Sequence, residues 1–415
     1  MKTTHSLTLL TTALLLSFQA NAAGTLIQEM SKMTVSTAGA GSAVLAEDAS
    51  VAYSNPAGMS YIEGDALSVN AAVMDLGIYY HDDTDPSKDS DNAGGIQPYG
   101  SIYYVHQLND DVHLGMSVSA QGGSALNYGT DYAGALTLND LKLSVIQFNP
   151  SVSYQVNNKL SIGGGLQIDY ASFEESLLYG QGNIETDSWT LGYNLGLMYQ
   201  IDENNRLGIA YRSRMNHDLT GNVSSSAFSV PINKIPRSRI SKPEIPKVDI
   251  PAMSGQAGLN VLNPRQVEVS GLHQLTNPLS LVWSVGFEQW SDNDSTTISI
   301  NDGNRISQIE RNFEDVWTAA IGARYQLTSR LRLESGIGYA SSPLDEPESQ
   351  GLDLPVDTQH RYSVGATYQW KKDISFNTYY SYVDYGDPEI NNSGVTGQFD
   401  NSNQFIGITM NMAFQ

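Results

Sequence analysis

Leu160-Ser161-Ile162-Gly163-Gly164-Gly165-Leu166-Gln167-Ile168-Asp169-Tyr170 alternates residue by residue. In an extended chain successive side chains point to opposite faces, so Leu160, Ile162, Leu166, Ile168 and Tyr170 share one face with Gly164. The other face carries Ser161, Gln167 and Asp169 with Gly163 and Gly165. The same period recurs in Tyr362, Val364, Ala366, Tyr368 and Trp370 against Ser363, Gly365, Thr367, Gln369 and Lys371. It recurs again in Leu279, Leu281, Trp283, Val285 and Phe287 against Ser280, Ser284, Gly286 and Glu288, with Val282 the exception.

A soluble sandwich also alternates, so the connections decide. Short polar turns stand at Asn109-Asp110, Asn157-Asn158, 202–205, 276–278, Thr328-Ser329 and 371–373. Longer polar stretches lie between them, at about 82–95, 123–138, 175–185, 222–262, 291–304, 342–356 and 386–402. Tight turns alternating with long loops are the connections of an outer-membrane barrel, and these imply fourteen strands, an even number that closes without an edge. The fold expected is therefore all-β: a fourteen-stranded antiparallel transmembrane β-barrel.

Composition agrees. Twenty-three tyrosines and 37 glycines against 16% charged residues fit a β-rich chain with aromatic girdles. Beyond residue 22 no stretch approaches ~18 consecutive apolar residues, which excludes a transmembrane helix but not a barrel strand of about 9–11 residues. A net charge of −22 repels phosphate backbones, so nucleic acid is not an expected partner. The chain has no cysteine, hence neither disulfides nor thiolate metal sites.

Residues 1–22 read as a signal peptide: Lys2, an apolar run from Leu7 to Phe18, and the small-residue site Ala20-Asn21-Ala22. The first strand is expected near Asp65, with the barrel over 65–415. Residues 23–64 lack alternation and are rich in small residues, as in Thr37-Ala38-Gly39-Ala40-Gly41-Ser42-Ala43. They are expected to form a hatch inside the lumen, which fourteen strands make wider than side chains alone fill.

The stretch 38–59, with Gly39-Ala40-Gly41, Glu47-Asp48-Ala49-Ser50 and Asn55-Pro56-Ala57-Gly58-Met59, resembles the hatch of the FadL/TodX family of long-chain fatty acid and hydrocarbon transporters. Asn149-Pro150-Ser151-Val152-Ser153-Tyr154 with 157–163 resembles the family's fourth and fifth strands, and 207–213 with His217 and Gly221 its seventh. Trp290-Ser291, Trp317, 336–339 with Ser342-Pro343, and Leu354-Pro355 before Arg361 and Gly365 keep the family order. The resemblance implies a monomeric, hatch-plugged barrel of the bacterial outer membrane. It also implies passive uptake of apolar substrates through an opening in the wall. One departure is Gln415, which follows the aromatic Phe414 that ends such barrels.

Three groups of residues are functional candidates. Asn55, Pro56, Ala57 and Gly58 can form a rigid turn within the hatch, since Pro fixes φ and Asn bonds local backbone. Gly122 and Gly123 mark either a kink that interrupts pairing and opens the wall, or the start of a loop. Lys234, Arg237, Arg239, Lys242 and Lys247, interleaved with isoleucines and prolines, form a basic run that fits capture of a fatty-acid carboxylate or contact with lipopolysaccharide. Asp82, Asp83, Asp85, Asp89 and Asp91 lack EF-hand spacing and read as a solvated loop, so no metal is expected. No Gly-x-Ser-x-Gly elbow or phosphate loop exists, so neither an enzyme nor a cofactor is expected. The lead reading is a fatty acid transporter. An aromatic hydrocarbon transporter of the same fold is the alternative, and a diffusion porin without a plug is more distant.

Overall fold

In a computed structural model of the chain, residues 27–231, 247–250, 252–293, 295–300, 305–344, 346–353, 355–392 and 394–414 are described. The expected signal peptide 1–22, the first residues of the expected hatch and Gln415 lie outside them.

Fourteen antiparallel strands close into a barrel. We number them β1 (Asp65–Asp82), β2 (Gly95–Gln107), β3 (Val112–Asn127), β4 (Asp140–Gln155), β5 (Leu160–Leu177) and β6 (Gly182–Gln200). The next four are each interrupted once: β7 (Asn205–Arg212, Met215–Ser225), β8 (Met253–Asn263, Gln266–Thr276), β9 (Leu279–Glu288, Ser295–Ile300) and β10 (Arg305–Glu310, Val316–Gln326). Then follow β11 (Leu331–Ala340), β12 (Gln359–Lys371), β13 (Ile374–Asp384) and β14 (Val395–Phe414). β1 pairs with β14 from Asp65↔Phe414 to Asp82↔Gly397, which closes the sheet.

Burial is inverted relative to a water-soluble protein. In β5 the polar face is hidden, with Ser161 at 1%, Gln167 at 3% and Asp169 at 0% exposure, while Ile162 and Leu166 stand 44% and 60% exposed. Such an apolar outer surface is stable only against lipid. Trp189, Trp317, Tyr339 and Tyr362 ring the loop end, and Tyr154, Tyr199, Tyr325 and Tyr368 the turn end, as interfacial girdles do. Val282, the break in the β9 alternation, is fully buried and faces Gly41 of the hatch.

Several expected loops are partly strand. β3 runs through Gly122 and Gly123 to Asn127; β7 reaches Ser225 and β8 begins at Met253, not beyond 262; β9 and β10 extend through 295–300 and 305–310; β14 begins at Val395. Beyond the lipid band both faces of a strand meet water, so alternation fades while the ladder persists.

Residues 27–64 fill the lumen. Two short helices, α1 (Gln28–Ser31) and α2 (Val51–Ser54), and two 3-10 turns, Val35–Thr37 and Pro56–Tyr61, pack against β2–β6 and β10–β13.

Candidate functional site

The hatch is seated on β6 and β7 by Asn55. Its backbone is extended, its Oδ1 accepts from Ala57 N (3.1 Å), and Pro56 opens the following turn. Its Nδ2 donates to Ala43 O (2.6 Å), Leu197 O (3.2 Å) and Ile209 O (3.4 Å). The Asn-Pro-Ala-Gly group thus joins two parts of the hatch to two barrel strands. The wall makes room with glycine: a Cβ on Gly163 would lie 2.5 Å from Ala57 N, and one on Gly196 would overlap the Asn55 carboxamide. Around this seat Val51, Ala52, Ala57, Met59, Tyr103 and Met198 form a buried apolar cluster.

The opposite side of the hatch is held by charge. Lys32 Nζ meets Glu268 at 2.6 Å, Arg361 Nε meets Glu29 at 2.8 Å, and Glu47 takes both Arg324 and Arg332, the latter at 2.9 Å. Burial pushes the Glu47 carboxyl up, but the Arg324 and Arg332 guanidinium groups outweigh it and hold the pKa down at about 2. Glu47 is enclosed by the barrel yet faces free space with 43% of its side chain accessible, so water screens the pair. Beside it burial raises the Asp48 carboxyl.

Above the hatch lies a narrow chamber of about 90 Å³, reached by Gln28, Lys32 and Tyr53 of the hatch and by Gln121, Gln147, Gln167, Asp169, Arg212 and Arg361 of the wall. Arg212 is 8% exposed; it donates to Tyr53 O (3.0 Å) and to Gln147 Oε1, and lies 4.0 Å over the Tyr53 ring. Among the described residues no carboxylate stands within ion-pair distance of it; Asp169 lies just beyond and is bridged to it by Gln147, whose Nε2 donates to Asp169 Oδ1 (2.7 Å). Further toward the loops the same strands turn an apolar face inward, including Leu143, Val145, Phe173, Leu219 and Val223, joined by stacked Tyr128 and Tyr132 (4.9 Å) and by Tyr80 against Phe399 (5.4 Å). A cationic, amide-rich chamber under an aromatic and aliphatic cluster matches an amphiphile with an acidic head.

The wall beside the chamber has an incompletely paired seam between β2 and β3. β2 and β3 pair only from Gln107↔His113 to Ser101↔Ser119, although β2 continues to Gly95 and β3 to Asn127. Immediately beyond Ser119 the β3–β4 register slips between Ala120 and Gly122. Gly122 (φ 139°) and Gly123 (φ 155°) adopt backbone that other residues rarely take, and a Cβ on Gly123 would overlap Leu143 O. The carbonyl of Gln121, orphaned by the slip, accepts instead from Ile27 N of the hatch (3.2 Å). Gln121 also lines the chamber, so the seam and the chamber share a residue.

Lys234, Arg237, Arg239 and Lys242 lie outside the described residues. Lys247 starts a short strand, Lys247–Ile250, paired with Phe228–Pro231 apart from the barrel sheet. In the acidic run, the Asp82 and Asp85 carboxylates accept from Thr84 N and Ser87 N, which makes them turn caps.

The sequence pattern of a family described as outer membrane protein transport protein (OMPP1/FadL/TodX) matches residues 13–414. The chain belongs to this family. Among FadL-family proteins it is 25% identical over 432 residues to the long-chain fatty acid transport protein of Salmonella typhi, with 96% of each chain covered. It is 28% identical over 430 residues to outer membrane protein P1 of Haemophilus influenzae, covering 90% of this chain and 89% of the relative. A crystal structure of a Pseudomonas aeruginosa FadL homologue superposes with a TM-score of 0.81 at 18% identity, over 95% of this chain and 100% of that one. The Ralstonia pickettii toluene transporter TbuX gives 0.69 at 18% identity, over 96% and 100%. These structures share the fold. The chain is an outer-membrane barrel of a transport family.

Arg212 stands in the stretch 207–213 that carried the family resemblance, but nothing in that motif marks it as a chamber cation held by Tyr53 and Gln147. Asp169 and Arg361 are charged residues in the inward register of lipid-level strands, a signal that points to the lumen.

Proposed function

We propose that this protein carries single-chain amphiphiles, foremost long-chain fatty acids, passively and without a catalytic step across the outer membrane. The acyl chain lies among Phe173, Tyr128, Tyr132 and the aliphatic residues of the upper lumen, and the carboxylate meets Arg212. Release follows the β2–β3 seam at Gly122 and Gly123 into the membrane. The observation that carries this reading is one chamber that brings the Arg212 guanidinium together with Gln121 of the β3 seam, next to a buried apolar cluster. Relatives named as long-chain fatty acid transport proteins support it. The stacked tyrosines also suit an aromatic hydrocarbon, and toluene transporters share the fold. Six glutamines and Arg212 in the chamber favour a substrate with a polar head.

Closure without an edge strand supports action as a monomer. The basic run from Lys234 to Lys247 is proposed to contact lipopolysaccharide or to gather fatty acids at the cell surface. Uptake of labelled oleate by cells lacking their own transporter, with toluene as competitor, tests the reading. Strong oleate uptake weakly blocked by toluene is expected; toluene transport without oleate uptake contradicts it. Apolar burial is worth roughly 0.8 kcal/mol per methylene, so affinity rises step by step with acyl length.

A further inference from the structure

Four successive strands lose their ladder at one height. β7 breaks between Arg212 and Met215, β8 between Asn263 and Gln266, β9 between Glu288 and Ser295, and β10 between Glu310 and Val316. On the turn side of the break β8 and β9 pair from Gln266↔Glu288; on the loop side pairing resumes only where Ala257–Leu259 meet Ile298–Ile300. Isolated bonds hold the segment between, such as Gln289 N to Arg265 O (3.0 Å) and Ser291 N to Asp315 Oδ1 (3.1 Å). The break begins one pair beyond Phe287↔Trp317, whose rings are 4.9 Å apart in the outer girdle. It therefore lies at the level of the outer-leaflet headgroups.

The wall here is one residue thick. Ser213 and Pro264 are buried and line the chamber, while their neighbours Arg214 and Arg265 turn outward with 44% and 42% of their side chains exposed. Both guanidinium groups share one carboxylate oxygen of Asp292, at 3.3 and 2.8 Å, which puts two cations on one anion at the β7–β8 edge of the break, while Glu314 and Asp315 stand at its β10 edge. The gap between β9 and β10 is filled by a small apolar cluster separate from the others: Trp290, Phe313, Val316, Ala340 and Leu344. Trp290 packs edge-on to Phe313 (5.7 Å), donates Nε1 to Glu288 Oε2 (2.8 Å) and also lines the chamber.

At this height Trp290 and the small cluster packed around it, rather than a paired ladder, stand between cavity and membrane. We propose that this break is a second lateral port, stoppered by Trp290. Through it a single-chain anionic amphiphile slides from the outer leaflet into the chamber, its head steered by Arg214 and Arg265. The port rests on the transport reading above. It lies across the lumen from the β2–β3 seam, so ingress and release use different sides of the barrel.

The test uses the full protein in lipid nanodiscs and follows binding of cis-parinaric acid by stopped flow. Trp290→Ala is expected to raise the association rate severalfold. Arg214→Gln combined with Arg265→Gln, both at exposed positions that leave the fold intact, is expected to lower it severalfold for the acid but not for its methyl ester. Equilibrium affinity of the double arginine variant stays within about twofold, because neither guanidinium lines the chamber and a mouth charge acts mainly on rate. If wild type binds the acid and neither variant changes the rate, the port is overturned while the transport reading stands. If wild type binds no parinaric acid, both are overturned.

Discussion

The hatch meets the barrel in two different ways. Against β4–β7 it is held by shape: Asn55 bonds three backbone carbonyls, and Gly163 and Gly196 leave room for the turn that follows it. Against β8 and β10–β12 it is held by ion pairs, Lys32 with Glu268, Glu47 with Arg324 and Arg332, and Glu29 with Arg361. Among the described residues the first contact holds no ion pair; its only cations, Arg206 and Arg212, stack on Tyr61 and Tyr53. The second exchanges hydration for Coulomb attraction, a near balance that shifts when one partner changes charge. The contrast implies a fixed side and an adjustable side, with Lys32 of the adjustable side also lining the chamber.

The largest effect is expected from Gly196→Val, which drives a branched side chain into the Asn55 carboxamide. The hatch should lose its seat, read out as protease cleavage within 27–64 while the barrel keeps its heat-stable mobility on gels. An uncleaved hatch would mean that the fixed side is not fixed. Next comes Arg324→Met, which leaves Glu47 and Glu334 short of a cation in the lumen. Removing one partner of a buried pair costs about 3–5 kcal/mol, and the screening at Glu47 places this case toward the lower end. Urea-induced release of the hatch measures it. Asn55→Ala, which orphans backbone carbonyls, should cost about 1–3 kcal/mol in the same assay.

Acid gives the smallest and most selective effect. The Glu47 carboxyl is lowered from an ordinary 4.5 to about 2 in the folded protein. A lowered acid stabilises the fold above its unfolded value, and that contribution is lost as pH falls from about 4.5 through about 2. Hatch protection should weaken across this window on the ion-pair side, while amides near Asn55 keep theirs in hydrogen exchange. Equal loss on both sides would erase the distinction.

The barrel was legible because lipid demands alternation, and alternation survives in one dimension. Leu160 to Tyr170 shows it directly, and even Val282, its exception, marks where the hatch touches the wall. Strand ends were not legible where water reaches both faces, hence the β3 strand that runs past Gly123. Asn55 stood out because Asn-Pro is a local turn signal. The ion pairs did not: Lys32 and Glu268 are 236 residues apart, and Glu47 and Arg324 are 277 apart, so only closure of the barrel brings them together. Arg212 was visible as part of a motif, but its setting over the Tyr53 ring and beside Gln147 and Asp169 is a property of three-dimensional surroundings.

The central claim is that substrate held at Arg212 leaves through the β2–β3 seam. Its most direct test is oleate uptake by cells carrying Gly122→Val with Gly123→Val, alongside oleate binding by the purified variant. The account predicts normal insertion, near-normal binding and uptake reduced to background; full uptake by a correctly inserted variant would contradict it.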